Sequence, residues 1–431
     1  MKAAFCTLGC KVNQYETQAM LELFQRAGYE TADFDGPADV YVVNTCTVTQ
    51  TGDKKSRQMI SRAHTHNPKA KIVVVGCYSQ VAPEEVIKLP GVWLVLGTKD
   101  RSRVVDLLEA SLKEERSAKA VEPFKGRDEF EEISATQESR TRAHLKIQDG
   151  CDRYCTYCII PYARGTIRSR PLKSVCEEME KLAQAGYAEI VLTGIHVMSY
   201  GRDFHNGTTL ADAFKLAEDI PGIKRVRLGS LEPNMADEIF VEAVKNSFKV
   251  CRHFHLSLQS GSAGVLKRMN RRYTPEEYEA CVERLRAAMP DCAVTTDVIT
   301  GFPGETEEEF LETEAFLKKL MLSRIHVFPF SARKGTKAAV MEGQIAKNVK
   351  AARTKRLIEL GNELEAKYLN SFLKTAQEVL FEECECDFAY GHTGTYARVG
   401  VPGGEELIGT LKSVNMEKLQ NGCLYGVLNK D

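Results

Sequence analysis

The stretch that decides the fold is Gln148-Asp-Gly-Cys151-Asp-Arg-Tyr-Cys155-Thr-Tyr-Cys158, a C-x3-C-x2-C triplet directly after a strand expected at 144–148. Three thiolates on one short loop can hold three irons of a 4Fe-4S cube and leave the fourth iron open to an outside ligand. A four-thiolate zinc site would need another partner at matching spacing, and none follows nearby. Downstream of the loop, β-rich runs at 189–193, 226–230, 253–258, 293–300 and 325–330 alternate with helical patterns. With the strand before the loop these make six units, too few for the usual eight-stranded closed barrel. The expectation is therefore a partial (β/α)6 barrel with its chemistry at the strand C-termini.

Upstream, runs at 3–7, 40–44, 72–76 and 93–96 read as strands, with helical patterns at 13–27, 52–63 and 101–112 between them. That alternation predicts a small α/β domain with a mostly parallel sheet over residues 1–112. Residues 113–141 are charged and read as a linker. The barrel domain is expected over 142–343, a long amphipathic connecting helix over 344–373, and a small antiparallel β-barrel with Gly-rich turns over 374–431.

A second set of cysteines sits in loops after the N-terminal strands: Cys10 in TLGC, Cys46 in NTC and Cys77 in VGC. Neighbouring parallel strands place their C-terminal ends on one edge, so these three can converge as a second three-thiolate cluster site. Cys6 competes with Cys10, but it lies inside the strand, whereas Cys10 follows Gly9 in the loop. The other seven cysteines read as packing residues, and Cys384-Glu-Cys386 is too isolated a pair to define a metal site.

Composition limits the partners less than it first suggests. The 431 residues carry 58 Lys plus Arg against 59 Asp plus Glu, so the overall charge points to no polyanion. Locally the charges segregate: residues 51–71 hold Lys54, Lys55, Arg57, Arg62, Lys69 and Lys71 against Asp53 alone. Arg164, Arg168, Arg170 and Lys173 follow the cluster loop, and Lys267, Arg268, Arg271 and Arg272 form a third group. All three groups are expected to face the cluster side, where phosphate attraction can guide an RNA. Residues 374–431 run the other way, with five basic residues, Lys430 among them, against nine acidic ones. RNA contact there is expected only on a face bearing Tyr396 and Arg398, the alternative being a barrel that mainly serves shape recognition or packing. The N-terminus has no apolar run long enough for a signal peptide, and no stretch is long enough to span a bilayer, which predicts a cytoplasmic protein. In a reducing compartment, clustered cysteines are metal ligands or catalytic thiols sooner than disulfides. His253 and His255 alternate on one strand and read as core or hydrogen-bonded residues, while Gly301-Phe-Pro-Gly304 lacks the Lys-Ser/Thr of a phosphate loop.

The triplet, with Tyr157 before its last cysteine, resembles the radical S-adenosylmethionine (SAM) superfamily. TLGCKVNQYET, VVNTCTVT, VVVGCYSQ, QDGCDRYCTYCIIPYARGTIRSR, LTGIHVMSYG, SLEP, HLSLQSGS and DVITGFPGETEEEF, together with the C-terminal barrel, resemble the methylthiotransferases along nearly the whole chain. Their order matches an N-terminal methylthiotransferase domain, a radical SAM domain and a TRAM domain. CKVNQYET is similar to the branch that converts N6-threonylcarbamoyladenosine beside the tRNA anticodon to its 2-methylthio derivative. An isopentenyladenosine branch more often has a Gln-Met-Asn version of that segment, and a third branch modifies a ribosomal-protein aspartate.

The resemblance implies two 4Fe-4S clusters, one on Cys151, Cys155 and Cys158 and an auxiliary one on Cys10, Cys46 and Cys77. It implies that Tyr157 faces the SAM adenine, that Thr193 and Gly194 receive the SAM amino group, and that Glu232 and Gln259 contact SAM or substrate. Residues 298–301 match the superfamily's adenine-binding strand. It further implies that one SAM methylates a sulfur and a second provides a 5′-deoxyadenosyl radical that opens the adenine C2–H bond. The implied partners are a tRNA anticodon stem-loop and an electron donor such as a flavodoxin or ferredoxin; the sulfur donor is left open. A reading of another class, an iron-sulfur RNA-binding protein without turnover, would need neither Tyr157 nor the strand-end motifs.

Overall fold

The computed structural model describes residues 1–126, 128–136 and 141–429. Part of the expected linker and Lys430 lie outside them.

Strands β1 (Lys2–Thr7), β2 (Glu30–Ala32), β3 (Val40–Thr45), β4 (Lys71–Gly76), β5 (Val92–Leu96) and β6 (Ala118–Ala120) form one parallel sheet in the order β2-β1-β3-β4-β5-β6. Every residue of β3 is buried, as expected for a central strand covered on both faces. The helix Lys11–Arg26 covers one face through Met20 and Phe24, while Ile60 and Ala63 of the helix Gln50–His66 pack on the other. The short edge strands β2 and β6 were not evident in the sequence, since three residues carry too little alternation to register. The pairings Thr7 with Asn44 and Thr45 with Gly76 bring the ends of β1, β3 and β4 level on one edge.

In the central region, β7 (Arg142–Lys146) leads into a short ribbon, β8 (Gln148–Asp149) paired with β9 (Arg168–Ser169), which brackets the cysteine loop. Strands β10 (Glu189–Thr193), β11 (Arg225–Leu228), β12 (His253–His255), β13 (Ala293–Thr300) and β14 (Arg324–Pro329) follow. They pair in parallel as β11-β10-β7 and β12-β13-β14, and parallel bridges Val226 with Val250 and Leu231 with Leu256 join the halves. The result is a six-stranded partial barrel. Its free edges do not face water: the helix Lys11–Arg26 packs against β7, and the helix Lys347–Asn370 packs against β14. Capping boxes at Thr274 with Glu277 and at Thr306 with Glu309 start two of its outer helices.

Strands β15 (Ala376–Glu385), β16 (Phe388–Thr393), β17 (Arg398–Pro402), β18 (Leu411–Gln420) and β19 (Cys423–Leu428) close a C-terminal barrel. Its pairs are antiparallel apart from the short parallel contact of β17 with β19. Arg225 and Arg227 of β11 reach into it, donating to the carbonyls of Glu378, His392, Thr393 and Gly394. The small barrel is thereby fixed to the central one.

Candidate active site

Cys10, Cys46 and Cys77 lie just past the level ends of β1, β3 and β4, close enough for their thiols to interact electrostatically. The approach is tight. Gly9 has φ +104°, and a Cβ there would sit 2.8 Å from the Cys46 Cβ and 2.9 Å from its Sγ, so the loop has no room for another residue type. Asn13 ties the loops together, donating from Nδ2 to the carbonyls of Leu8 (2.7 Å) and Thr45 (3.0 Å). Cys6 instead senses Arg62 and Asp35 and lies apart from this set.

The second triplet follows β8. Cys155 is buried, and Cys151 and Cys158 are half-buried. Burial pushes the Cys151 thiol up to about 11, and pushes Cys158 and Cys77 up to about 12. Such thiols stay neutral until a metal displaces the proton. Among the described residues no three His, Cys, Asp or Glu side chains converge tightly enough to hold one metal ion. In a cube each thiolate takes a different iron, so the three thiols need not meet at one metal ion. Both sets have the soft donors and mutual approach that a 4Fe-4S cluster requires.

Each triplet also has an arginine against it. Arg271 Nη1 lies 3.3 Å from Cys155 Sγ, and Arg164 Nε lies 3.3 Å from Cys77 Sγ. Arg164 is fully buried and extends across the domain junction, with Nη1 2.8 Å from Glu16 and 3.1 Å from Asp149, and Nη2 2.7 Å from Asn13 Oδ1. Lys146 joins the same group at 2.8 Å from Glu16 and 2.6 Å from Asp149, and Arg101 pairs with Glu16. Burial opposes the Glu16 charge, but Arg101, Arg164 and Lys146 outweigh it and hold the carboxyl far below its usual range.

This overturns the expectation that Arg164, Arg168 and Arg170 guide phosphates. All three are buried, with Arg168 on Asp149 and Arg170 on Glu178. The third basic group is partly consumed in the same way: Arg271 is on the cluster loop and Arg268 pairs with Glu309 at 2.6 Å. Lys54, Lys55, Lys267 and Arg272 stay exposed, whereas Arg57 hydrogen-bonds Tyr78 and Arg62 pairs with Asp35. Tyr396 does not present a free stacking face either. It stacks on His253 and His392, with the Arg142 and Arg227 guanidinium groups over its ring, so it belongs to the junction of the two barrels. Arg398 pairs with Glu383.

The residues expected around SAM occupy the tips of the barrel strands. Tyr157 packs edge-on to Phe302. Thr193 is buried at the end of β10, and a Cβ on Gly194 would lie 2.8 Å from Gln148 Oε1, which accepts from the His196 N–H. Glu232 is buried between Arg153 and His196, each at 2.6 Å. Burial opposes its ionisation, but the His196 hydrogen bond and the Arg271 and Arg153 charges prevail and hold its carboxyl below the usual range. Gln259 has φ +69° and bridges to Val298 on β13. Asn13, Arg153 and His196 were not singled out in the sequence. Asn13 lies inside the CKVNQYET segment and His196 inside LTGIHVMSYG, so the motifs carried them unread.

A three-cysteine loop at the C-terminal mouth of a parallel partial barrel is the arrangement of the radical SAM class. Residues 145–317 match the Radical SAM superfamily, and residues 2–97 match Uncharacterized protein family UPF0004. The chain is 45% identical to the threonylcarbamoyladenosine tRNA methylthiotransferase MtaB of Bacillus subtilis over 96% of its own length and 93% of that protein. It is 41% identical to the MtaB of Thermotoga maritima over 87% of this chain and 85% of that one. A tRNA-2-methylthio-N(6)-dimethylallyladenosine synthase of Natranaerobius thermophilus is 33% identical over 99% and 96%. The chain belongs to the radical SAM methylthiotransferase family, in the MtaB branch. Among solved structures, the radical SAM methyltransferase TsrM of Kitasatospora setae shares the fold with a TM-score of 0.59 at 16% identity, covering 79% of this chain and 77% of that one. The enzyme's cofactors are 4Fe-4S clusters and SAM.

Proposed function

We propose that this enzyme converts N6-threonylcarbamoyladenosine beside the tRNA anticodon to its 2-methylthio derivative, acting in the cytoplasm. The observation that carries the substrate is the 45% identity over nearly full length to an enzyme of that name, against 33% for a dimethylallyladenosine relative. In this reading Cys151, Cys155 and Cys158 hold the SAM-binding cluster and Cys10, Cys46 and Cys77 the auxiliary one. When bound, these groups supply a carbon-centred radical and the sulfur to be inserted. The chain's own residues position and shield. Arg271 and Arg164 offset thiolate charge, Tyr157 and Phe302 wall the adenine side, and Gly194 leaves backbone open beside Gln148. Glu232 and Gln259 offer polar contacts at the strand tips, with Arg153 and His196 fixing the Glu232 carboxylate.

The division into 1–112, 113–141, 142–343, 344–373 and 374–431 belongs to the same proposal, with the last segment a TRAM domain and an electron donor of flavodoxin or ferredoxin type. Nucleoside mass spectrometry of tRNA from a deletion strain tests it. The expected result is loss of the 2-methylthio-threonylcarbamoyl nucleoside with accumulation of its precursor. Loss of the dimethylallyl product instead would move the enzyme to the other tRNA branch, and unchanged tRNA would point to a protein substrate.

A further inference from the structure

Below the strand tips, the interior of the partial barrel is not filled with apolar side chains. A cavity of about 260 Å³ is lined by Lys11, Arg227, Gly229, Ser230, Asp297 and Tyr396, among others. A second, of about 350 Å³, shares Lys11, Arg227 and Tyr396 with it. Together they are of the size that takes a small-molecule group. Their position is informative. Gly229 and Ser230 lie just before Glu232 in the chain, and Lys11 directly follows Cys10. A group that reacts with both clusters has to occupy space reached from both, and this interior is bounded by residues of each side.

The wall charges are mostly spoken for. Arg227 pairs with Glu189 at 2.9 Å, Arg142 with Glu382 at 2.5 Å, Glu383 with Arg398 at 2.8 Å, and Asp297 with His255 at 3.2 Å. Lys11 has no hydrogen bond or ion pair among the described residues, although it lines both cavities. Lys11 is exposed at the mouth the two cavities share, so its ammonium is free to meet an anion that a ligand brings in. The substrate named above carries such an anion: threonylcarbamoylation adds a carboxylate and a hydroxyl to the adenine N6. A dimethylallyl group is a hydrocarbon and would leave the ammonium unpaired.

Resting on the function proposed above, we propose that this cavity receives the N6 side chain of the adenosine and that Lys11 pairs with its threonyl carboxylate. Lys11 is then a specificity-determining residue, and Ser230 offers a polar contact to the hydroxyl or urea.

The test is equilibrium binding of reconstituted enzyme to two anticodon stem-loops, one carrying N6-threonylcarbamoyladenosine and one in which the threonyl carboxylate is a carboxamide. The wild-type enzyme should bind the carboxylate form about tenfold more tightly, Lys11→Met should bring the ratio to about one, and Lys11→Arg should keep most of it. Equal binding of both RNAs by the wild type, an arm that needs no variant to fold, would overturn carboxylate recognition. A ratio that persists in Lys11→Met would overturn the role of Lys11. The substrate reading fails separately, if the wild-type enzyme forms no 2-methylthio product from the carboxylate RNA.

Discussion

The two cysteine triplets are built in opposite ways. Cys151, Cys155 and Cys158 lie within one loop, whereas Cys10, Cys46 and Cys77 come from three loops and meet only because β1, β3 and β4 are neighbours in register. The first set is a property of a peptide, and the second is a property of a sheet. A local site tolerates change in the scaffold as long as its loop survives. A site assembled by topology inherits every disturbance of strand order, loop closure and domain contact. The same contrast governs charge compensation: Arg271 comes from within the barrel that carries its triplet, whereas Arg164 reaches the auxiliary thiols from the other domain.

The largest expected effect separates the triplets by function. Cys158→Ala should abolish both 5′-deoxyadenosine formation and methylthio product. Cys46→Ala should abolish the product yet leave 5′-deoxyadenosine formation, with about half the iron lost in each variant. Chromatography of the nucleosides and an iron assay report both. A Cys46→Ala protein that makes product at the normal rate would end the two-cluster reading. Next in size is the junction. Arg164→Met removes the cation shared by Glu16 and Asp149 and leaves buried carboxylates short of a partner, which should cost about 3–5 kcal/mol in denaturant unfolding. A change under about 1 kcal/mol would mean that Lys146 and Arg101 suffice for both acids.

A smaller effect is expected at Gly9. An alanine there must take φ near +104° and push Cys46 aside, so Gly9→Ala should cost about 1–3 kcal/mol locally and lower auxiliary iron while sparing the loop triplet. Equal loss of iron from both sites would contradict the independence of the two sets.

How much of this was legible in the sequence follows the same division. The loop triplet could be read from spacing alone, and the auxiliary set from its repeated position after strands, because parallel topology levels strand ends. The edge strands β2 and β6 were too short to read, and pairing with β1 and β5 is what fixes them. Charge was the least legible quantity. Arg164, Arg168 and Arg170 look like a phosphate-guiding run, and only tertiary contact with Glu16, Asp149 and Glu178 turns them inward. Tyr396 misleads for the same reason: an aromatic beside a basic residue on a small barrel reads as a stacking platform until β11 delivers Arg227 to its ring.

That correction leaves a shorter list of cations for RNA, and with it the smallest of the predictions. Lys54 and Lys55 lie in the second turn of the helix that follows the Cys46 loop, and both are exposed. Their neighbour Asp53 pairs with Arg333, so it does not neutralise them. Lys412 and Lys418 sit on the acidic C-terminal barrel, where a phosphate would also meet carboxylates. Each phosphate contact contributes about one unit to the slope of log affinity against log salt. Reversing Lys54 and Lys55 to Glu should therefore weaken tRNA binding and lower that slope by about two, while reversing Lys412 and Lys418 should change it little. Filter binding over a salt series measures both. Equal slopes for the two pairs would place the RNA across the C-terminal barrel as much as over the auxiliary cysteines, and the polarity inferred from the exposed lysines would be lost.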